Sequence, residues 1–123
     1  NKPKKIVIKG RDFIIQNFFE GLARFDFNDL CGASIGAEDY MKIAEHCNFI
    51  LIDNVPNFGD ENADKQQRFI TLIDILYEKK IPIMITANFN YKKFNSSRRL
   101  NDSYKRTISR LFELTSPKFK INK

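Results

Sequence analysis

Two cysteines and one histidine are all the thiol and imidazole ligands that the 123 residues contain. Cys31, Cys47 and His46 cannot complete a four-ligand zinc site by themselves. A disulfide between the two cysteines is one reading and buried reduced thiols the other; nothing in the sequence points to export. No apolar run approaches the roughly 18 residues of a membrane-spanning helix. The basic start, Asn1-Lys2-Pro3-Lys4-Lys5, leads only into a short apolar strand, and the expectation is that it is no signal peptide. Position 1 is not methionine, and the expectation is a truncated chain or an internal start. There is no G-x-x-x-x-G-K-[ST] motif. Gly32-Ala33-Ser34-Ile35-Gly36 has the glycines but no lysine, so no loop here is built to cradle nucleotide phosphates. Internal repeats and low-complexity segments are absent as well.

What remains is an ordinary globular composition. Hydrophobic residues make up 42% and charged residues 29%, and twelve phenylalanines supply bulk for a core. The length suits one domain. The net charge of +6 is uneven: +4 over residues 1–24, −6 over residues 25–90 and +8 over residues 91–123. A basic C-terminal third beside an acidic middle suggests an anionic partner or an acidic neighbouring surface.

Periodicity predicts the elements. Lys5–Lys9 alternates as a strand, turns at Gly10-Arg11 and returns through Asp12–Gln16 as a hairpin. Ala23–Asp29 alternates again, with Phe25 and Phe27 on one face. Ala37–Cys47 has Tyr40, Ile43, Ala44 and Cys47 at helical spacing, behind Gly36 and the dipole-favoured acids Glu38 and Asp39. Phe49–Asp53 and Ile81–Ala87 read as apolar strands buried on both faces, as in a parallel sheet. Between them Ala63–Lys80 is the longest helix, with Phe69, Leu72, Ile73, Leu76 and Tyr77 inward. Residues 89–100 form a polar, basic, mobile loop. Asn101–Thr115 is a last helix with Tyr104, Ile108 and Leu111 inward, ended by Pro117. The fold expected is α/β: a small parallel sheet from a right-handed β-α-β-α-β unit, an N-terminal hairpin and a C-terminal basic helix.

Four constellations carry chemistry. Asp53 and Asn88 close adjacent strands at the ends where parallel sheets bind ligands, like a Walker-B carboxylate beside a polar sensor. Asp53 equally suits a strand-end cap. Asp74 and Glu78 share a helix face and could flank a metal, or simply form a solvated face. Arg106 and Arg110 are one turn apart and suit bidentate phosphate recognition. The competing reading bonds them to acids of the middle segment such as Asp39 or Asp74. Basic residues Lys92, Lys93, Arg98, Arg99 and Lys105 interleave with Tyr91, Phe94 and Tyr104, as in single-stranded nucleic-acid binders or in a loop anchored by its aromatics.

Five blocks in order resemble the C-terminal part of the bacterial ZapE cell-division ATPases and their mitochondrial relatives, the lactation-elevated ATPases. They are Arg24–Cys31 (RFDFNDLC), Ile35–Tyr40 (IGAEDY), Ile50–Pro56 (ILIDNVP), Arg68–Glu78 (RFITLIDILYE) and Arg106–Leu114 (RTISRLFEL). The family is similar to AAA+ P-loop ATPases, with its Walker motifs and first sensor upstream of this region. The resemblance therefore implies a single domain, residues 1–123, that is the C-terminal α/β portion of a larger ATPase. ATP and Mg would belong to the full-length protein, and this chain alone would be non-catalytic, with no metal of its own. It also implies that Asp53 is structural. By analogy with sensor and finger arginines, Arg110, and after it Arg106 or Arg68, are the candidates to meet the phosphates in the full-length enzyme. Implied partners are the upstream ATPase domain, homo-oligomer subunits and division-machinery or other client proteins. The location would be the bacterial cytoplasm, or the mitochondrion in a eukaryote. Two departures stand out: Glu113-Leu114-Thr115-Ser116 replaces the family's Glu-Met-Gln-Ser, and the preceding loop is unusually rich in Lys, Asn and Arg. The alternative function is a stand-alone basic module for nucleic acid or acidic protein surfaces.

Overall fold

In the computed structural model the backbone is described for residues 2–8, 10–32, 35–87 and 94–121. Five strands form one sheet in the order β1-β2-β3-β4-β5. β1 (Lys2–Ile8) and β2 (Arg11–Phe19) make the expected hairpin, longer than its alternating cores. β2 then pairs antiparallel with β3 (Leu22–Asp26) across the turn Glu20-Gly21. Both turn residues have positive φ, 47° and 89°. That is the backbone of two-residue hairpin turns whose twist matches the strands. β3 runs parallel to β4 (Phe49–Val55), and β4 parallel to β5 (Ile83–Ala87).

The alternation of Ala23–Asp29 stops at Asp26 rather than continuing. Asp26 caps a short helix, α1 (Phe27–Cys31), its carboxylate accepting from the Asn28 N–H at 3.1 Å. An Asx cap outcompetes one more strand pair because it satisfies an orphan helix donor. Phe27 therefore leaves the sheet and enters an aromatic cluster, 5.7 Å from Phe58 and 5.9 Å from Phe69 between ring centroids. Tyr104 closes that cluster against Phe58 at 5.4 Å, edge to face.

α2 (Ala37–Glu45) buries Tyr40, Ile43 and Ala44 as its spacing requires; it ends two residues earlier than expected, and Cys47 is buried just beyond it. Asp39 accepts from the Gly36 N–H at 2.8 Å and closes the first turn. α3 (Ala63–Glu78) buries Phe69, Leu72, Ile73 and Leu76. It ends in a Schellman motif: Ile81 N–H donates to the Leu76 carbonyl at 3.0 Å, and Lys80 N–H to that of Tyr77 at 3.1 Å. Lys80 supplies the left-handed residue, φ 56°, where glycine is usual.

α4 (Asn101–Ile121) runs through Pro117 instead of stopping before it. Proline's fixed φ is helical, so the trace continues while the Glu113 carbonyl forgoes its usual N–H partner. Tyr104 and Leu111 face inward, and Phe112 is largely exposed.

One core lies between the sheet and the helices, built from Ile6, Ile8, Ile15, Ala23, Phe25, Ile50, Ile52, Val55 and Ile83 on the strand side. β4 and β5 are not buried on both faces. In β4 burial alternates, with Phe49, Leu51 and Asp53 only half-buried, and in β5 Met84 is exposed. Among the described residues the helices cover one face of the sheet and leave the other open.

The end of the basic loop is also more ordered than its composition suggests. Gln66, fully buried on α3, accepts from the Ser97 N–H at 3.1 Å and the Ser97 hydroxyl at 2.7 Å. Its amide donates to Ser96 Oγ at 2.7 Å. Asn57 Oδ1 accepts from the Asn95 N–H at 2.7 Å, and Asp60 from the Arg98 N–H at 2.9 Å. Residues 95–98 are thus clasped to the start of α3. The rest of the expected loop, residues 89–93, lies outside the described residues.

Candidate functional site

The carboxyl ends of the parallel strands carry a dense polar network. Asp26 and Asp53 are register partners on β3 and β4. The register between β4 and β5 shifts after Ile52, and Asn54 there adopts φ 63°. Asparagine tolerates that left-handed backbone better than most residues, and here it gains bonds by it. Its N–H donates to Thr86 Oγ1 at 3.0 Å and its amide to Asp26 Oδ1 at 2.8 Å.

Thr86 in turn donates to Asp53 Oδ1 at 3.1 Å, and Arg24 Nε donates to Asp53 Oδ2 at 2.6 Å. The Arg24 guanidinium, first by its hydrogen bond, holds the Asp53 carboxyl below its ordinary range, and the Thr86 hydroxyl adds to this. Beside the network lies a cleft of about 550 Å³ lined by residues of β2, by Arg24 and Phe25, and by Asp26, Asp29 and Asp53.

Both oxygens of Asp53 accept bonds from neighbours, which is the strand-end structural role rather than a carboxylate held open for a cation. Asn88, its partner in the Walker-B reading, lies outside the described residues. Among the described residues no group of three or more His, Cys, Asp or Glu is arranged to hold a metal ion.

The three arginines singled out by sequence sit in different settings. Arg110 donates to Asp74 Oδ1 at 2.6 Å and lies over the Tyr77 ring at 4.9 Å. Of the two readings of this arginine, the bond to an acid of the middle segment is the one realised, and Asp74 is thereby taken from any pairing with Glu78. Arg106, one turn earlier, is exposed and has no ion pair among the described residues. Arg68 donates to the Cys31 carbonyl at 3.1 Å and so ties α3 to the end of α1. Arg106 and Arg110 share a stretch of α4, whereas Arg68 is engaged elsewhere. Arg98, part of the basic loop, is spent on Asp60 at 3.2 Å.

The cysteines are free and buried. Desolvation pushes the Cys31 thiol up to about 12 and Cys47 up to about 11. These are inert packing thiols, not nucleophiles.

A family model described as AFG1-like ATPase matches residues 1–122. The chain belongs to the AFG1-like ATPase family. Among similar proteins is lactation elevated protein 1 homolog B of Danio rerio, 31% identical over 87 residues, which cover 71% of this chain and 17% of that protein. Another is the cell division protein ZapE of Escherichia coli K12, 25% identical over 93 residues, 76% of this chain and 25% of that protein. The chain thus spans about a sixth to a quarter of the length of these relatives. No solved structure matches it significantly.

As an AFG1-like ATPase domain, it was legible through its ordered blocks, and two of those blocks turn out to hold the network. Arg24 and Asp26 come from the first, and Asp53 and Asn54 from the third. Sequence reasoning missed the Arg24–Asp53–Thr86 chain and the Gln66 clasp. The available signal was two carboxylates ending two alternating strands. No described helix is long and apolar enough to cross a membrane.

Proposed function

We propose that residues 1–123 act as the C-terminal domain of a ZapE-like ATPase whose phosphate-binding loop lies elsewhere in the polypeptide. The domain contributes packing, oligomer or partner contacts, and the full-length protein binds Mg and ATP and hydrolyses the nucleotide. The single observation that carries this reading is the family match across residues 1–122 in a chain without any P-loop lysine. By the similarity to ZapE, the parent serves cell division in a bacterial cytoplasm. In a eukaryote, the similarity to the lactation elevated protein favours mitochondrial work on client proteins.

The test is ATP turnover by the full-length protein beside residues 1–123 alone. Turnover only in the former is expected, and turnover by the short chain overturns the reading. An immunoblot of source cells should show a band well above 14.4 kDa. A band at that mass overturns the parent ATPase.

Arg110 and Arg106 are the arginines assigned to nucleotide in this scheme, with Arg68 third because its guanidinium already holds α1. Arg110→Ala should slow hydrolysis, whereas Asp74→Asn, which breaks the same ion pair, should leave it near the parent rate. Equal effects of the two would mean that Arg110 serves structure alone. A second reading rests on exposed Arg99, Lys105 and Arg106. A basic binding module would show nucleic-acid affinity that falls steeply with salt, and no binding at low salt removes it.

A further inference from the structure

The open face of the sheet has an internal layout. Leu22 pairs with Phe49, and Leu51 with Met84, in register across three parallel strands. Phe19, the register partner of Leu22, continues the patch on β2. Leu22 is 47% exposed, Phe19 58% and Met84 37%. Parallel strands in α/β folds are normally covered on both faces, because their apolar side chains alternate to both sides. Adjacent strands are about 4.8 Å apart, so this patch across β3 to β5 matches the roughly 10 Å width of one helix.

Toward the strands' carboxyl ends the same face turns acidic. Asp12, Asp26, Asp29 and Asp53 line the cleft with one cation, Arg24, which Asp53 already holds. Asp12 has a loose, exposed pairing with Lys5 at 3.8 Å. Three quarters or more of each relative's length lies outside the segment that matches this chain. A segment of the same polypeptide would compete for this face at high effective concentration.

We infer that the open face seats an amphipathic helix from the nucleotide-binding part of the same polypeptide. Its apolar stripe lies on Leu22, Phe49, Leu51 and Met84, and its basic end lies over the cleft carboxylates Asp12 and Asp29. The inference rests on the C-terminal-domain reading above and names the surface by which the domain joins the ATPase core.

The test is photo-crosslinking in the full-length protein, with a benzophenone amino acid at Leu22 or Met84 and the products mapped by mass spectrometry. Both positions are exposed, so the probes leave the core intact. Intramolecular crosslinks to a helix of the nucleotide-binding part are expected from both sites. Crosslinks between copies, crosslinks to another protein, or none at all would overturn the inference. Asp29→Lys should lower the intramolecular yield several-fold, and an unchanged yield overturns the basic end of the helix. ATP turnover, measured on the same samples, separates the two ideas. Turnover without these crosslinks leaves the ATPase reading standing and removes only this surface. Crosslinks without turnover do the reverse.

Discussion

Replacing Gln66 by leucine should cost this domain more than any surface change, although it swaps a polar residue for an apolar one inside a protein. Gln66 is fully buried and its carboxamide makes three hydrogen bonds to Ser96 and Ser97, one of them to backbone. Leucine has nearly the same volume, so packing is largely kept and the polar effect is isolated. Each bond contributes about 1 kcal/mol net. The Ser97 N–H, on a residue only 1% exposed, would lose its acceptor. An orphaned buried donor costs about 1–3 kcal/mol. Counting the two side-chain bonds at about 1 kcal/mol each and the orphaned amide at about 1–3 kcal/mol, the sum is about 3–5 kcal/mol, against a total stability of about 5–15 kcal/mol for a domain. With an m-value of about 2 kcal/mol/M, the urea midpoint should fall by about 2 M. Tm should drop by about 12–20 °C. Ser97→Ala removes only the hydroxyl donor and should cost about 1 kcal/mol. The backbone amides of residues 96–98 should exchange far faster in Gln66→Leu. A loss below about 1 kcal/mol, or unchanged exchange at Ser97, would refute the clasp as the anchor of this segment.

Three further outcomes are expected. The carboxyls of Asp53 and Asp60 are held down by Arg24 and by the Arg98 backbone and side chain, respectively. A depressed folded value means that their contribution is complete above the ordinary carboxyl pKa of about 4 and is lost as pH falls through the folded value. Tm measured from pH 7 to pH 2 should therefore be flat and then fall in acid, less steeply for Asp53→Asn; an identical acid slope would refute it. At pH 8 native Cys31 and Cys47 should resist a disulfide reagent and both react in guanidinium, since their thiols titrate near 12 and 11; fast native labelling would contradict their burial. Lys80→Gly should raise stability by about 0.5–1 kcal/mol, because the left-handed residue of the Schellman turn no longer carries a Cβ. A urea midpoint that falls would count against that account.

The elements were readable in the residues because their signals are local. The helical spacing of Tyr40, Ile43, Ala44 and Cys47 and the stripe Phe69, Leu72, Ile73 and Leu76 each fix one apolar face, and burial followed. Alternation with intervening helices likewise dictated parallel pairing of β3, β4 and β5. The boundaries near Asp26 and Pro117 were misread, because a side-chain cap and a tolerated proline each depend on one backbone bond that periodicity does not register. The candidate site was less legible still. Arg24, Asp53 and Thr86 are separated by some thirty positions. The pairing of Arg110 with Asp74 spans 36 positions and was only one of two readings. Which guanidinium meets which carboxylate is settled by strand register and helix packing, and both are long-range. The same holds for the open face of the sheet. Sequence alone determined that β4 and β5 are apolar enough to be covered on both sides. Only the tertiary structure decided that the described helices cover one side and leave apolar residues of the other exposed.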